Sequence, residues 1–121
     1  MKTRNWFESL RHAINGICST ARRERNFRIH IVCAVLAVAA CIIFRVESIH
    51  FIMVGFSIFF VMAMELVNTA VEALVDMYCR GKHHPLAKLA KDAAAGAVLL
   101  AAVQALAVGI FVAISVIRRY V

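Results

Sequence analysis

Proline is nearly absent from this chain, with one among 121 residues, and charged residues make up only 17% of it. Soluble domains carry roughly 25% charged residues and 45–50% apolar ones. Here the hydrophobic share is 63% and the mean hydropathy is +0.80, with apolar residues gathered in runs and charges concentrated between them. The composition therefore excludes an ordinary soluble domain and indicates a membrane protein.

Standard phosphate-binding motifs are also missing. The sequence contains no GxxxxGKS or GxxxxGKT loop, no GxGxxG loop and no HRD motif. Any phosphate chemistry must therefore use side chains and a metal ion rather than a glycine-rich cradle. The four cysteines show no paired spacing, which predicts free thiols, and Cys79 with His83 and His84 matches no standard metal site.

The charge balance is strongly positive, with 14 Lys and Arg against 7 Asp and Glu. A basic chain can bind nucleic acid, but the apolar fraction argues against that partner. Positive residues on the cytoplasmic side of a membrane explain the charge more simply. Most of them lie in the N-terminal part and in segment 80–92, so both segments, and the N-terminus with them, are predicted to be cytoplasmic.

Four helical segments are predicted. Residues 5–19 form an amphipathic stretch too polar to span a membrane, and it is expected to lie on the surface with Trp6 and Phe7 as anchors. Three apolar runs are predicted to cross the membrane as helices: 29–44, 49–79 and 86–117. The first spanning helix is expected to begin among the preceding charged residues, whose long side chains can snorkel. The predicted fold class is an all-α membrane protein with a single domain over residues 1–121.

The first apolar run has an alternative interpretation as a lipoprotein signal. VAAC at 38–41 resembles a cleavage box that follows a basic segment. The basic segment would be unusually long, it contains Glu8 and Glu24, and two further spans follow it. A membrane helix is the preferred interpretation.

A polar stripe lies in the second run, in the sequence MELVNTAVEALVD at 64–76. At 100° per residue, Glu65, Glu72 and Asp76 fall within about 40° of one another on a helix. Asn68 lies about 40° to their side. A solvated helix end explains Glu72 and Asp76, but it explains Glu65 poorly, since a carboxylate within a span costs about 2.5–3.5 kcal/mol on insertion scales. The stripe is therefore a candidate functional site.

Charged residues also open the first and third spans, on the same predicted side of the membrane: Glu24, Arg25, Arg28, Lys88, Lys91 and Asp92. All three spans thus bring charges to one depth. Carboxylates with lysine and arginine opposite them can hold a divalent cation and a polyphosphate.

The combined motifs ExxNTAxExxVD (65–76), HPLAKxAKD (84–92) and ERNFRIH (24–30) resemble those of the small bacterial membrane-integral lipid kinases, which are the diacylglycerol kinases and the undecaprenol kinases. The similarity extends from about Phe7 to Val116. It implies a surface helix and three transmembrane helices per subunit, assembled as a homotrimer in the bacterial inner membrane. It also implies transfer of the γ-phosphate of ATP to a lipid hydroxyl at the cytoplasmic interface.

The same resemblance implies roles for individual residues. The implied catalytic set is Glu65 as the general base, with Asn68, Lys91 and Asp92. The set expected to bind MgATP is Glu24, Arg28, Glu72, Asp76, His84, Lys91 and Asp92, of which Glu24 and Glu72 match the ligands of Mg²⁺.

Departures from the diacylglycerol branch favour undecaprenol as the substrate. Ala94 and Ala95 follow Asp92, where that branch often has Gly-Ser. His30 stands beyond Arg28, where that branch has a second acid. The HPLAK and AAGAV motifs are also more similar to the undecaprenol branch, and diacylglycerol is the alternative substrate.

A function of a different class is a small proton-coupled transporter with Glu65 as a proton relay. Transporter carboxylates usually lie near the midplane, between inverted repeats. Here the charges lie at one boundary and no repeat is visible. A membrane subunit without chemistry is a third alternative, and neither rival predicts phosphotransfer.

Overall fold

A computed structural model describes residues 5–121 and consists of four helices. They are α1 (Trp6–Arg23), α2 (Arg25–Ile43), α3 (Ser48–Cys79) and α4 (Pro85–Tyr120). The last three are long and apolar enough to cross a membrane. The predicted fold class, an N-terminal helix followed by three spanning helices, is confirmed.

The first helix is amphipathic, and its apolar face is uncovered. The Asn5 side chain caps its start by accepting a hydrogen bond from the Glu8 amide at 2.8 Å. Trp6 and Phe7 are 69% and 74% exposed, as expected of anchors in a membrane interface. The helix continues to Arg23 rather than ending at residue 19, since the added residues include alanine and arginine, which are good helix formers.

A single residue joins α1 to α2. Glu24 has an extended backbone with φ −106° and ψ 115°, and its amide donates to the Thr20 carbonyl at 2.8 Å. The Arg28 guanidinium donates to the carbonyls of Ala21 and Arg22 at 3.0 and 2.9 Å. These bonds satisfy carbonyls at the end of α1. The second helix therefore begins at Arg25, among the charged residues that precede the apolar run.

The third helix is the centre of the bundle. It packs extensively against α4 and less extensively against α2, whereas no close backbone contact joins α2 to α4 within residues 5–121. Within the spans, the Gln104 amide donates to the Ser57 hydroxyl at 2.9 Å. At one end, the Arg119 guanidinium donates to the carbonyls of Phe44 and Arg45 at 3.2 and 3.0 Å. This contact ties the end of α4 to the turn between α2 and α3.

At the opposite end, a tight turn joins α3 to α4. Arg80 and Gly81 both have positive φ, 47° and 83°, which reverses the chain as in a common helix C-cap. The His84 side chain then caps α4 by accepting from the Leu86 amide at 3.2 Å, with Pro85 as the first helical residue. The start of α2, the end of α3 and the start of α4 therefore meet at one end of the bundle, called the polar end below.

Candidate active site

Glu65 is a buried carboxylate on α3, 6% exposed. Its Oε1 lies 3.0 Å from Nε2 of His30 on α2. Glu65 therefore faces a neighbouring helix. This placement is expected, because an unpaired charge in an apolar span is energetically costly. Thr69 donates to the main-chain carbonyl of Glu65 at 3.0 Å and leaves the carboxylate to His30.

Asn68 and Glu72 form a pair one turn further along α3. The Asn68 amide nitrogen donates to Glu72 Oε1 at 3.0 Å. The Asn68 amide oxygen is buried and has no hydrogen-bond partner within residues 5–121. Buried polar atoms are nearly always paired, so this oxygen marks a place where a ligand or a water molecule completes the structure.

Two further ion pairs occupy the polar end. Lys91 Nζ on α4 lies 2.6 Å from Asp76 Oδ1 on α3. Lys88 Nζ lies 2.6 Å from Asp92 Oδ2, one turn along α4. Both pairs are largely exposed, so each contributes little to stability. Their effect is to hold two ammonium groups and two carboxylates beside one another.

These pairs line a pocket of about 540 Å³ between the end of α3 and the start of α4. Its lining residues are Val75, Asp76, Cys79, Gly81, Lys82, His83, His84, Ala87, Lys88, Lys91 and Asp92. Three lysines and two histidines face two carboxylates, so the pocket carries excess positive charge and suits a polyanion.

A second cavity is apolar and lies along the uncovered side of α3, between α2 and α4. It has a volume of about 580 Å³ and extends from His30, near the start of α2, to Phe44 and Val121 at the opposite end of the bundle. Its other lining residues are mostly alanine, valine and similar apolar side chains. Since 14 residues separate His30 from Phe44, the groove is about 21 Å long.

The structure brings most of the predicted site residues to the polar end. Asp76, His84, Lys91 and Asp92 line the charged pocket. Glu65, Asn68 and Glu72 follow one another along α3 toward that pocket. Glu24 lies at the corner between α1 and α2, half-buried. The Arg28 guanidinium bonds main-chain carbonyls of α1, and its role in nucleotide binding stays a prediction.

Several lining residues were missed by the sequence reasoning. His30 and Lys82 were not assigned to the site, although His30 lies within a quoted motif, and Lys88 was named among the charges that open the third span but was given no role. The i,i+4 spacing of Lys88 and Asp92 was a usable signal for their pairing. The contact of His30 with Glu65 had no such signal, because it depends on how two helices pack.

The donor set at the polar end suits magnesium only with help from a substrate. No group of three or more His, Cys, Asp or Glu side chains that could hold a metal ion occurs in residues 5–121. Mg²⁺ usually binds one or two carboxylates together with water and substrate phosphates. Asn68 engages only one oxygen of Glu72, which leaves the other free for such a role, and the ligand roles of Glu24 and Glu72 stay predictions.

The protein has three spanning helices, and a buried carboxylate and a lysine-lined pocket lie toward the same end of them. These features define a multi-pass membrane protein with a polar site at one end of its spans. Residues 11–113 match the family model described as prokaryotic diacylglycerol kinase.

Named relatives agree with this match. The chain is 42% identical over 105 residues to "Diacylglycerol kinase" of Synechocystis sp., covering 87% of this chain and 60% of that relative. It is 41% identical over 107 residues to "Undecaprenol kinase" of Bacillus subtilis, covering 88% and 86%. It is 35% identical over 90 residues to "Diacylglycerol kinase" of Escherichia coli, covering 74% and 73%. The chain belongs to the prokaryotic diacylglycerol kinase family, which confirms the family that the motifs indicated and its kinase class.

Proposed function

We propose that this protein transfers the γ-phosphoryl group of ATP to the hydroxyl of a membrane lipid, at the cytoplasmic face of the bacterial inner membrane. One observation carries the proposal. A buried carboxylate, Glu65, contacts His30, which lines an apolar groove, and lies toward the end of the bundle that carries a lysine-lined pocket. The arrangement suits an acceptor held in lipid and a donor held in water.

Glu65 is the proposed general base. Phosphoryl transfer depends mainly on positioning and on neutralising charge. The lipid hydroxyl gives its proton to the Glu65 carboxylate as its oxygen bonds the γ-phosphorus, while the bond from that phosphorus to the ADP oxygen breaks. Asn68, Lys91 and Asp92 complete the proposed catalytic set, with Lys91 countering the negative charge of the transferred group.

The charged pocket is the proposed site of the nucleotide. Its lysines suit the polyphosphate, and Asp76 holds Lys91 in place at 2.6 Å. Glu24 and Glu72 would hold Mg²⁺, which would neutralise phosphate oxygens when bound. Arg28 and His84 complete the proposed nucleotide-binding set, of which His84 lines the pocket and Arg28 orders the corner that carries Glu24.

The apolar groove is the proposed site of the lipid tail. A lipid whose hydroxyl reaches Glu65 would extend its hydrocarbon away from the polar end, past His30. The groove has the direction and the apolar lining that such a tail requires.

Undecaprenol is the proposed acceptor in preference to diacylglycerol. The HPLAK and AAGAV motifs and the histidine at position 30 support this choice. A homotrimer with cytoplasmic N-termini is the proposed assembly, supported by the resemblance and by the basic segments at the polar end.

The direct test offers labelled ATP to the purified protein in mixed micelles that contain either undecaprenol or diacylglycerol. We expect Mg²⁺-dependent label in the lipid fraction, with faster transfer to undecaprenol. Faster transfer to diacylglycerol would reverse the substrate assignment alone. No transfer to either lipid would contradict the kinase proposal and is the result that both alternatives, a transporter and a membrane subunit without chemistry, predict.

A further inference from the structure

The contact between His30 and Glu65 links two helices at the inner end of the groove. Their side chains are 29% and 8% exposed, and Nε2 lies 3.0 Å from Oε1. His30 also lines the apolar groove. One imidazole therefore touches both the buried carboxylate and the space proposed for the lipid.

His30 is the single side-chain partner of the Glu65 carboxylate within residues 5–121. A buried carboxylate needs hydrogen bonds to remain charged and fixed in place. His30 Nε2 lies 3.0 Å from Oε1, and the second oxygen of Glu65 keeps its capacity to accept a proton. No other side chain of α3 or α4 supplies a second donor.

We infer that His30 is a positioning residue, which holds the Glu65 carboxylate so that its free oxygen accepts the proton of the lipid hydroxyl. This inference rests on the proposed function. The Glu65 side chain is only 8% exposed, and His30 on α2 is the group that its Oε1 contacts, at 3.0 Å. This contact favours one rotamer of Glu65 over the others.

Two substitutions separate this role from simple packing. His30→Leu removes the donor and keeps an apolar side chain of moderate size. His30→Gln keeps an N–H donor at a similar distance from the backbone. If His30 positions the base, we expect His30→Leu to lower kcat about tenfold or more, with the KM values for lipid and ATP changed less than about twofold. His30→Gln should recover most of the lost kcat.

His50 provides a matched control. Its ring packs edge-on against Phe111, with 5.5 Å between ring centroids, near the opposite end of α3. His50→Leu removes a histidine from a spanning helix without changing the surroundings of Glu65. We expect its kcat to equal that of the parent protein.

The measurement is steady-state phosphotransfer by the full-length chain in mixed micelles, with the parent protein assayed first. Unchanged kcat in His30→Leu, or equal losses in the Leu and Gln variants, would overturn the positioning role while leaving the kinase proposal intact. A rise in lipid KM alone would also overturn it and make His30 part of the groove. Absence of transfer by the parent protein would overturn both proposals.

A spectroscopic measurement tests the contact without turnover. In protein labelled with ¹⁵N at histidine, the Nε2 resonance of His30 should shift when Glu65 is changed to Gln, because the acceptor loses its charge. The His50 resonances should stay in place. An Nε2 resonance of His30 that does not change in Glu65→Gln would overturn the inference.

Discussion

At the scale of single residues, Glu72 has two separable properties. Its charge suits a metal ion, and its Oε1 accepts a hydrogen bond from Asn68 at 3.0 Å. Gln at this position keeps an acceptor for Asn68 and loses the charge, whereas Ala loses both. The two variants therefore distinguish a metal ligand from a partner that orients Asn68.

We expect Glu72→Ala and Glu72→Gln to raise the Mg²⁺ concentration for half-maximal activity by at least about tenfold, since even outer partners of metal sites change affinity 10–100-fold. The measurement is activity against free Mg²⁺ at fixed ATP. A titration that matches the parent protein in both variants would contradict the ligand role. A shift in Ala alone would assign Glu72 to the support of Asn68.

Glu65→Gln tests the proposed base. The amide fills the same volume and keeps an oxygen for His30, but it is not a proton acceptor of useful strength. We expect kcat to fall on the order of 10²–10⁴-fold, with unchanged assembly by size-exclusion chromatography. Activity within a few-fold of the parent would remove Glu65 from the mechanism.

Residues on one helix were predictable, and contacts between helices were not. The stripe of Glu65, Asn68 and Glu72 follows from the period of the helix alone. The pairs that join helices, such as Asp76 with Lys91, are separated by 15 residues along the chain. Their formation depends on the turn between α3 and α4, whose geometry no periodicity encodes.

At the scale of elements, the turn between α3 and α4 aligns the two halves of the charged pocket. Gly81 has φ +83°, and a Cβ atom there would meet nothing within 4 Å. Gly96, within α4, also has open space around it but lies in ordinary helix. Alanine substitutions at the two positions can therefore be compared to separate the effect of backbone strain from that of steric contact.

We expect Gly81→Ala to destabilise the protein by about 1–2 kcal/mol, the usual cost of the left-handed conformation for a residue with a side chain. Gly96→Ala should leave stability unchanged or raise it by up to about 1 kcal/mol. The measurement is thermal unfolding in detergent. If the two substitutions changed thermal stability equally, a side chain at position 81 would not strain the backbone of the turn.

Helices were predictable in number, while the boundary between the first two was not. Composition and length identified three spans because about 20 apolar residues are needed to cross a bilayer. The sequence predicted that the surface helix ends at residue 19, before the basic segment. Arginine and alanine are nonetheless good helix formers, so α1 continues to Arg23 and the break falls at Glu24.

At the scale of the whole molecule, one chain leaves most of its apolar surface uncovered. The buried apolar side chains within residues 5–121 are Phe27, Cys41, Val61, Ala101 and Val112. Lipid covers such surfaces readily, but Gln104 remains exposed within a span even though its amide donates to Ser57. Contact with another copy would cover the exposed part of this side chain with protein, which is the preferred environment for polar groups at that depth.

We expect the purified protein to have a mass of three 13.4 kDa chains when light scattering is corrected for bound detergent. The trimer should persist in Glu65→Gln, which changes no surface residue. An active preparation with the mass of one chain would contradict the proposed assembly. The homotrimer and the choice of undecaprenol stay predictions, because both depend on the shapes of surfaces formed by several helices together.

The corner at Glu24 has a mechanical consequence. With one residue between α1 and α2, and with Arg28 fastened to the last carbonyls of α1, the surface helix has little freedom to roll independently. Crowding or thinning of the lipid head groups around Trp6 and Phe7 would turn α1, and the rotation would reach Glu24 through a rigid elbow. Through such a rotation, the packing of the surrounding bilayer would change the geometry of a proposed magnesium ligand.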